Sequence, residues 1–261
     1  MKNIEILAVI QARMGSTRLP NKVLLDLEGK TILEHVVERV GKSELVDEVI
    51  VATTISYEDI EIVKLLSDES IRVFCGSEDD VLDRYYQVAK LIKPEHIVRI
   101  TADCPMIDPD IIDKTIDLHL YQGSDYTCNT LNETFPDGLD AEIFTYEALE
   151  KAWKEARLTS EREHVTPYIR KHKEIFKISG LENKENLSQK RWTLDEFDDY
   201  NFLKIVFKNV YVNNPNFRMK DILKYLRENP NVERINNQII RNKGYIKSMK
   251  EDREIKINSK E

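Results

Sequence analysis

The sequence is poor in cysteine and has no long apolar run, and these shortages exclude several kinds of protein. Its cysteines, Cys75, Cys104 and Cys128, include no Cys-x-x-Cys pair, so we expect neither a zinc site built from them nor a disulfide framework. No apolar run approaches the roughly 20 residues that span a membrane, and the first residues lead into a strand without a signal-peptide pattern. We therefore expect a cytoplasmic protein with no membrane partner.

An excess of positive charge is also missing. The net charge is −8, which argues against a general nucleic-acid binder because such proteins are usually basic. A nucleotide site stays open, since a few cations create a local positive potential within an acidic chain. The 261 residues, 41% of them hydrophobic, suffice for one large α/β domain or two small ones, and no linker or internal repeat divides them.

The first half of the chain alternates apolar strands with amphipathic helices. Strands are predicted at residues 6–10, 48–52, 71–75 and 96–101, and helices at residues 31–40, 57–67, 79–92 and 109–121. This alternation predicts βαβ units and a mainly parallel sheet with right-handed crossovers. Ligands of such sheets bind at the carboxyl ends of the strands. The loops selected by that rule are residues 11–22, 53–57, 76–80 and 102–108.

The second half is less regular. Strands are predicted at residues 125–130, 140–145, 175–178 and 190–193, and helices at residues 146–156, 161–171, 198–210 and 219–228. The predicted domain therefore covers residues 1–237. Residues 238–261 are polar and charged without apolar periodicity, so we expect them to form a solvated tail or a partly ordered appendage.

The loop at residues 11–22, QARMGSTRLPNK, carries the strongest functional signal. It offers three cations, Arg13, Arg18 and Lys22, while Gly15 allows it to fold back on itself. Cations and free backbone N–H groups after a first parallel strand suit a triphosphate. With one glycine and no Gly-Lys-Ser/Thr string, the loop is neither a dinucleotide fingerprint nor a Walker A motif.

This loop resembles the signature loop of the sugar cytidylyltransferases, which make CMP-activated acidic sugars of the sialic acid and Kdo types. The fuller string, QARMGSTRLPNK followed by VL, is most similar to the spore coat polysaccharide biosynthesis branch. The resemblance implies a mixed, mainly parallel Rossmann-like sheet sandwiched by helices, of the nucleotide-diphospho-sugar transferase type. It implies CTP and a sugar-type acceptor as substrates and Mg²⁺ as cofactor. It also implies a homodimer built through residues 125–180.

Two carboxylates are candidate metal ligands. Asp103, in TADCP, follows the fourth predicted strand, where a carboxylate can hold Mg²⁺ against an α-phosphate. A turn before Pro105 explains the same aspartate without a metal. The resemblance favours the metal ligand and points to Asp195, in RWTLD, as the second one. Asp195 or Asp198 is alternatively the N-cap of the helix that follows.

Further residues near the strand ends complete the predicted nucleotide site. The resemblance implies that Gly76, Ser77 and Arg84 reach the base and the ribose, and an N-cap role for Ser77 is the simpler alternative. The predicted nucleotide-binding residues are Ala12, Arg13, Gly15, Ser16, Arg18, Lys22, Thr53, Gly76, Ser77 and Arg84. The predicted catalytic residues are Arg13, Lys22 and Asp103.

The acceptor is predicted to bind near the string FPDGLDAE at residues 135–142. Turn chemistry also explains its Asp-Gly pair. Three acids in this string disfavour an anionic acceptor, so we expect a hydroxyl-rich or aminated sugar. His164 is a further candidate, with a purely structural role as the alternative. The predicted acceptor-binding residues are Asp137, Asp140, Glu142 and His164.

The sequence thus predicts transfer of CMP from CTP to a sugar or sugar-like acceptor, with release of pyrophosphate, in surface polysaccharide or glycoconjugate biosynthesis. One alternative is the same chemistry with another nucleoside triphosphate. A second is a nucleotide-sugar-dependent glycosyltransferase, which typically carries an Asp-x-Asp pair that we do not find after an apolar strand in the first half. A third is a non-catalytic nucleotide-binding regulator, which the presence of both Asp103 and Asp195 disfavours.

Overall fold

A computed structural model describes residues 4–254 of the chain. The strands are β1 (Ile6–Gln11), β2 (Asp26–Leu27), β3 (Lys30–Thr31), β4 (Glu48–Thr54), β5 (Arg72–Gly76), β6 (His96–Thr101), β7 (Tyr126–Cys128), β8 (Glu142–Thr145) and β9 (Ile178–Gly180). The helices are α1 (Ile32–Val40), α2 (Ile60–Asp68), α3 (Val81–Ile92), α4 (Pro109–Gln122), α5 (Tyr146–Glu155), α6 (Thr159–His164), α7 (Pro167–Lys171), α8 (Phe197–Val206), α9 (Met219–Glu228), α10 (Pro230–Glu233) and α11 (Lys243–Lys250).

Within these residues the central sheet has seven strands in the order β5-β4-β1-β6-β8-β7-β9. The first four run parallel to one another, β8 is antiparallel to both β6 and β7, and β9 is parallel to β7. Helices cover both faces of this sheet. The predicted mixed, mainly parallel α/β sheet sandwiched by helices is confirmed.

Strand β1 lies in the middle of the parallel half and is buried on both faces, as its unbroken apolar sequence predicts. Successive side chains of a strand point to opposite faces of the sheet. Accordingly, Leu7 and Val9 join one apolar core with Tyr85 of α3, whereas Ala8 and Ile10 join another with residues of α1, α2 and α4. This double burial fixes where β1 ends, and therefore where the following loop begins.

Two of the predicted strands in the second half are wrong. No strand forms at residues 190–193, where Arg191 makes a single isolated bridge with Asp137. The strand expected at residues 175–178 begins only at Ile178, as β9. In the first case Asp137 makes the only strand-like pair of bonds found there among the described residues, with the backbone of Lys190 and Trp192. The N–H of Lys190 bonds back to Leu187, and the carbonyl of Arg191 accepts from the Asn236 side chain, so no ladder of hydrogen bonds develops.

The start of α8 also differs from both alternatives considered for it. Its N-cap is Glu196, so neither Asp195 nor Asp198 caps the helix. Instead, the buried side chain of Asp199 accepts hydrogen bonds from the backbone N–H groups of Asp195 and Glu196, at 2.9 Å each. This arrangement leaves the Asp195 side chain available to the loop after β1.

The end of the described chain contacts the rest of the protein, which fits the predicted partly ordered appendage better than its alternative, a solvated tail. Helix α11 packs against α6, and Asp252 accepts hydrogen bonds from the backbone N–H and the hydroxyl of Ser160, at 2.9 Å each. The contacts are polar, which explains why apolar periodicity gave no sign of them. The domain boundary at residue 238 stays a prediction, and residues 255–261 of the predicted tail lie outside the described part. No helix within residues 4–254 has the length and apolar character needed to cross a membrane.

Candidate active site

Lys22 stands at the centre of the site and joins three distant parts of the chain. Its ammonium group donates hydrogen bonds to Asp103 Oδ2 at 2.6 Å, to Asp195 Oδ1 at 2.9 Å and to the backbone carbonyl of Leu194 at 2.8 Å. Lys22 belongs to the loop after β1, Asp103 follows β6, and Asp195 precedes α8. Because β1 and β6 are parallel neighbours, their carboxyl ends bring Lys22 and Asp103 together.

The charges in this cluster stabilise one another. Burial lowers the pKa of Lys22, but the carboxylates of Asp103 and Asp195 outweigh it and raise that pKa above its usual value. Burial raises the pKa of Asp103, and the Lys22 ammonium group outweighs it, so this pKa is lowered. Arg18 adds an ion pair with Asp195 at 2.8 Å. The site therefore holds charged partners at neutral pH.

Asp59 shapes the loop after β1, although no role was predicted for it from the sequence. Its buried carboxylate accepts a hydrogen bond from the backbone N–H of Met14 at 2.7 Å and another from that of Thr54 at 3.2 Å. These bonds tie the loop to the end of β4, the next strand of the sheet. Asp59 follows an apolar strand by only a few residues, and this was the available sequence signal.

Arg191 holds the segment that carries Asp195. Its guanidinium group donates hydrogen bonds to both oxygens of Asp199, at 2.8 and 2.9 Å, to Asp137 at 2.9 Å and to Asp195 at 3.2 Å. The backbone N–H of Leu194 also donates to the carbonyl of Asp103 at 2.9 Å. Asp103 and Asp195 are thus positioned by the same set of contacts. Arg191 stands in the string RWTLD that drew attention to Asp195, but this role was not predicted for it.

A cavity of about 630 Å³ opens beside the loop after β1. Predicted residues that line it are Ala12, Arg13, Gly15, Ser16, Arg18, Arg84 and Asp103. Arg84 is only 2% exposed, yet its Nε and Nη1 atoms have no hydrogen-bond partner among the described residues. Arg13 likewise makes no ion pair or hydrogen bond through its side chain within residues 4–254. The cavity therefore offers two cations whose charge is not already balanced by a paired carboxylate.

Four predicted nucleotide-binding residues lie outside this lining: Lys22, whose contacts are given above, and Thr53, Gly76 and Ser77. Thr53 is fully buried near the end of β4. Gly76 packs beneath Arg84, whose Cγ would lie 2.8 Å from a Cβ atom added there. Ser77 accepts a hydrogen bond from the backbone N–H of Asp80 at 3.2 Å, and Asp80, rather than Ser77, is the N-cap of α3. Gly76 thus leaves room for the Arg84 side chain, and Ser77 bonds to the start of α3, the helix that carries Arg84.

A second cavity, of about 440 Å³, adjoins the first, and Asp103 lines both. It is lined by all four predicted acceptor residues: Asp137, Asp140, Glu142 and His164. Arg170 of α7 and Asp195 also line it. Two compartments that meet at a carboxylate suit two substrates that react at their junction.

The three acids predicted to bind the acceptor are each paired with an arginine. Asp137 accepts from Arg191 at 2.9 Å, Asp140 accepts from Arg241 at 2.9 Å, and Glu142 pairs with Arg99. Burial raises the pKa of Asp137, with a further contribution from nearby Asp140. Because arginines balance much of this negative charge within the protein, the three acids do not by themselves exclude an anionic acceptor, and the hydroxyl-rich or aminated sugar stays a prediction.

Glu142 is also held by two further donors. The hydroxyl groups of Tyr126 and Thr166 each lie 2.6 Å from Glu142 Oε2. Its partner Arg99 is a charged residue inside the apolar string HIVRIT, which was the sequence signal for a polar contact within the sheet. With its oxygens engaged in this way, Glu142 is better placed to support the cavity wall than to bind an acceptor.

The sequence profile of the cytidylyltransferase family matches residues 7–235. The chain belongs to the cytidylyltransferase family. It is 36% identical, over 238 residues, to the spore coat polysaccharide biosynthesis protein SpsF of Bacillus subtilis, covering 87% of this chain and 95% of that protein. It is 40% identical to the 3-deoxy-manno-octulosonate cytidylyltransferase of Geobacter sulfurreducens over 115 residues, which cover 43% of this chain and 44% of that enzyme.

A solved structure of another member of the cytidylyltransferase family has the same fold. It is a cytidylyltransferase from Leptospira borgpetersenii, with 38% identity and a TM-score of 0.83, and the match covers 88% of this chain and 97% of the other. The predicted resemblance to the sugar cytidylyltransferases and to their spore coat branch is thereby confirmed.

The carboxylates of this cytidylyltransferase fit a hard divalent cation. Within residues 4–254 no group of three or more potential ligands surrounds a single metal position. However, Asp103 and Asp195 present oxygen atoms to the same point, which the Lys22 ammonium group occupies here. Mg²⁺ needs only one or two carboxylates, because it keeps several waters and takes phosphate oxygens from its substrate. The donor chemistry therefore suits Mg²⁺.

Proposed function

We propose that this cytidylyltransferase transfers CMP from CTP to a sugar-type acceptor in an Mg²⁺-dependent reaction that releases pyrophosphate. The single observation that carries the proposal is the position of Asp103, which lines both cavities and shares the Lys22 ammonium group with Asp195. The family description names cytidylyl transfer, and one relative is named as a spore coat polysaccharide biosynthesis protein. We extend both to this chain, and we place the reaction in the cytoplasm, where CTP is made.

In the proposed reaction an acceptor hydroxyl oxygen attacks the α-phosphorus of CTP. The new P–O bond forms as the bond to the β-phosphate oxygen breaks, pyrophosphate leaves, and the hydroxyl proton passes to solvent or to a nearby carboxylate. Arg13 and Arg18 bind the β- and γ-phosphates, and Arg84 contacts the base or ribose. Fixed cations of this kind stabilise charge that develops on the leaving group.

Lys22 exchanges one set of hydrogen-bond partners for another in this proposal. Without substrate it neutralises Asp103 and Asp195, and with substrate it donates to phosphate oxygens. Asp103 and Asp195 would then hold Mg²⁺, which when bound neutralises negative charge on the α-phosphate. Burial keeps these charges strong, because the effective dielectric constant in the cleft is lower than in water.

The acceptor binds in the second cavity. Since the three predicted acceptor-binding acids are paired with arginines, both neutral sugars and sugar acids remain candidates. We also propose a homodimer built through residues 125–180, a range that includes the edge strand β9. A monomer in light scattering would contradict this assembly.

The test is pyrophosphate release with Mg²⁺, each of the four nucleoside triphosphates and a panel of sugar acids, neutral sugars, aminated sugars and sugar phosphates. We expect release with CTP and one class of acceptor, and no release when Mg²⁺ is replaced by a chelator. Lys250→Ala on the exposed side of α11 is a matched control that should react as the wild type does. Failure to bind any triphosphate would contradict the proposed function.

A further inference from the structure

The C-terminal segment, residues 241–252, lies beside the cleft and beyond the residues that the family match covers. Hydrogen bonds hold it to the rest of the protein at three points. Arg241 binds Asp140 at the acceptor cavity, Ser248 donates to Glu163 Oε2 at 2.7 Å, and Asp252 binds Ser160. The ring of Tyr245 also lies edge-on to His164, with 5.0 Å between ring centroids. The segment is therefore a fixed wall of the site in this structure.

Two lysines of this wall face the nucleotide cavity. Lys243 and Lys247 both line it, together with Gly244 between them. Positions four residues apart share one face of a helix, so both side chains lie on the face of α11 that borders this cavity. All three lysines of the helix are exposed, but the third, Lys250, lines neither cavity.

The two lysines differ in whether their ammonium groups already have a carboxylate partner. The Lys243 ammonium group donates to Glu196 Oε1 at 3.0 Å, and Arg18 approaches the same oxygen at 3.9 Å. Lys243 is thus next to the cation that pairs with Asp195. The Lys247 side chain makes no hydrogen bond or ion pair with any residue between 4 and 254.

The other cations of the cavity that these lysines border would suit an anionic or hydrogen-bond-accepting ligand. Arg84 is almost fully buried there with two unpaired nitrogen atoms, and Arg13 is also unpaired within the described chain. A buried guanidinium without partners is costly unless a ligand supplies acceptors. A nucleoside triphosphate supplies a base, a ribose and several phosphate oxygens.

We propose that Lys243 and Lys247 bind the phosphate chain of the nucleotide, so that the C-terminal segment completes the active site. The inference rests on the proposed function and adds two substrate-binding residues from outside the family match. Lys247 is free to pair with phosphate directly. Lys243 stays bonded to Glu196 until a phosphate oxygen offers a second acceptor beside Arg18.

The test compares three variants of the full chain, Lys243→Ala, Lys247→Ala and the control Lys250→Ala. Tripolyphosphate binding with Mg²⁺, measured by calorimetry, isolates the phosphate chain from the base and the acceptor. One charge-assisted hydrogen bond corresponds to about a tenfold change in affinity or more. We expect weakening of at least about that size for the first two variants, and none for the control.

Kinetics supply a second readout. Each cleft-facing variant should raise the KM for the nucleotide more than it lowers kcat, and Lys247→Arg should recover most of the affinity because it keeps the charge. Tripolyphosphate affinities within about twofold of the wild type for both alanine variants would overturn the inference while leaving the proposed function intact. A wild-type protein that binds neither tripolyphosphate nor any nucleoside triphosphate would overturn the proposed function itself.

Discussion

Gly138 is the position at which one added methyl group should disturb both the fold and the proposed active site. Its φ angle is +104°, a conformation that side-chain-bearing residues rarely adopt. A Cβ atom there would lie 2.6 Å from the carbonyl carbon of Trp192 and 2.7 Å from the backbone nitrogen of Thr193. These are backbone atoms, so the overlap cannot be relieved by rotating a flexible side chain.

The expected cost of Gly138→Ala has two parts. The positive φ angle contributes about 1–2 kcal/mol, and forcing an atom into a packed region contributes about 1–3 kcal/mol more. The total loss in the free energy of unfolding is therefore about 3 kcal/mol. Gly123→Ala is the matched control: Gly123 also has a positive φ, +56°, but an added Cβ would meet no atom within 4 Å. Only the strain term applies there, about 1 kcal/mol.

The two variants are compared by urea unfolding at neutral pH and by pyrophosphate release from folded protein. Gly138→Ala also pushes on the backbone between Arg191 and Asp195, so we expect reduced turnover as well as reduced stability. Gly123 lies at the end of α4, away from both cavity linings, and its variant should keep wild-type turnover. Equal stability losses in the two variants would refute the argument from backbone overlap.

Two further predictions concern charge. Lys22→Ala and Asp103→Asn should each lower turnover by about 10²–10³-fold with the fold retained, and a soluble variant with near-normal pyrophosphate release would remove that residue from its role. His119 is buried, and burial, with a contribution from His96, lowers its pKa to about 4. As the pH falls, the unfolded chain therefore takes up this proton first. The contribution of His119 to the free energy of unfolding is complete above pH 6.5 and falls by roughly 3 kcal/mol towards pH 4. The free energy of unfolding of His119→Gln should lack this part of the pH dependence, and identical pH slopes for the variant and the wild type would contradict the assignment.

The first half of the chain was predictable because local rules and tertiary structure agree there. The apolar strands and amphipathic helices between Ile6 and Thr101 predicted a parallel sheet, and the strand-end rule then placed Lys22 beside Asp103. Asp195 was different: its strand was predicted wrongly, and the family resemblance alone supplied it. Its neighbour Arg191 fixes its position through contacts that no short-range pattern encodes.

The charge balance of the acceptor string and the contacts of the polar tail were missed for one physical cause, which is pairing between polar or charged groups far apart in the sequence. Asp140 and Arg241 form an ion pair although 101 positions separate them. The sequence shows that both charged residues are present but not that they form a pair. Three acids in one string therefore led to the prediction of an acidic acceptor site. For the same reason, the polar segment after residue 238 seemed solvated, whereas polar contacts hold it against α6.

These pairings also explain why a site in an acidic chain can suit a polyphosphate. The acids around the cleft are matched by structural cations: Asp137 by Arg191, Asp140 by Arg241, and Glu142 by Arg99. A triphosphate therefore meets little uncompensated negative charge on that side. On the nucleotide side Arg13, Arg84 and Lys247, whose side chains have no ion-pair partner among residues 4–254, remain to meet it. If Lys247 does bind phosphate, then the last described helix belongs to the active site as fully as the loop after β1 does, because each supplies cations to the same cavity.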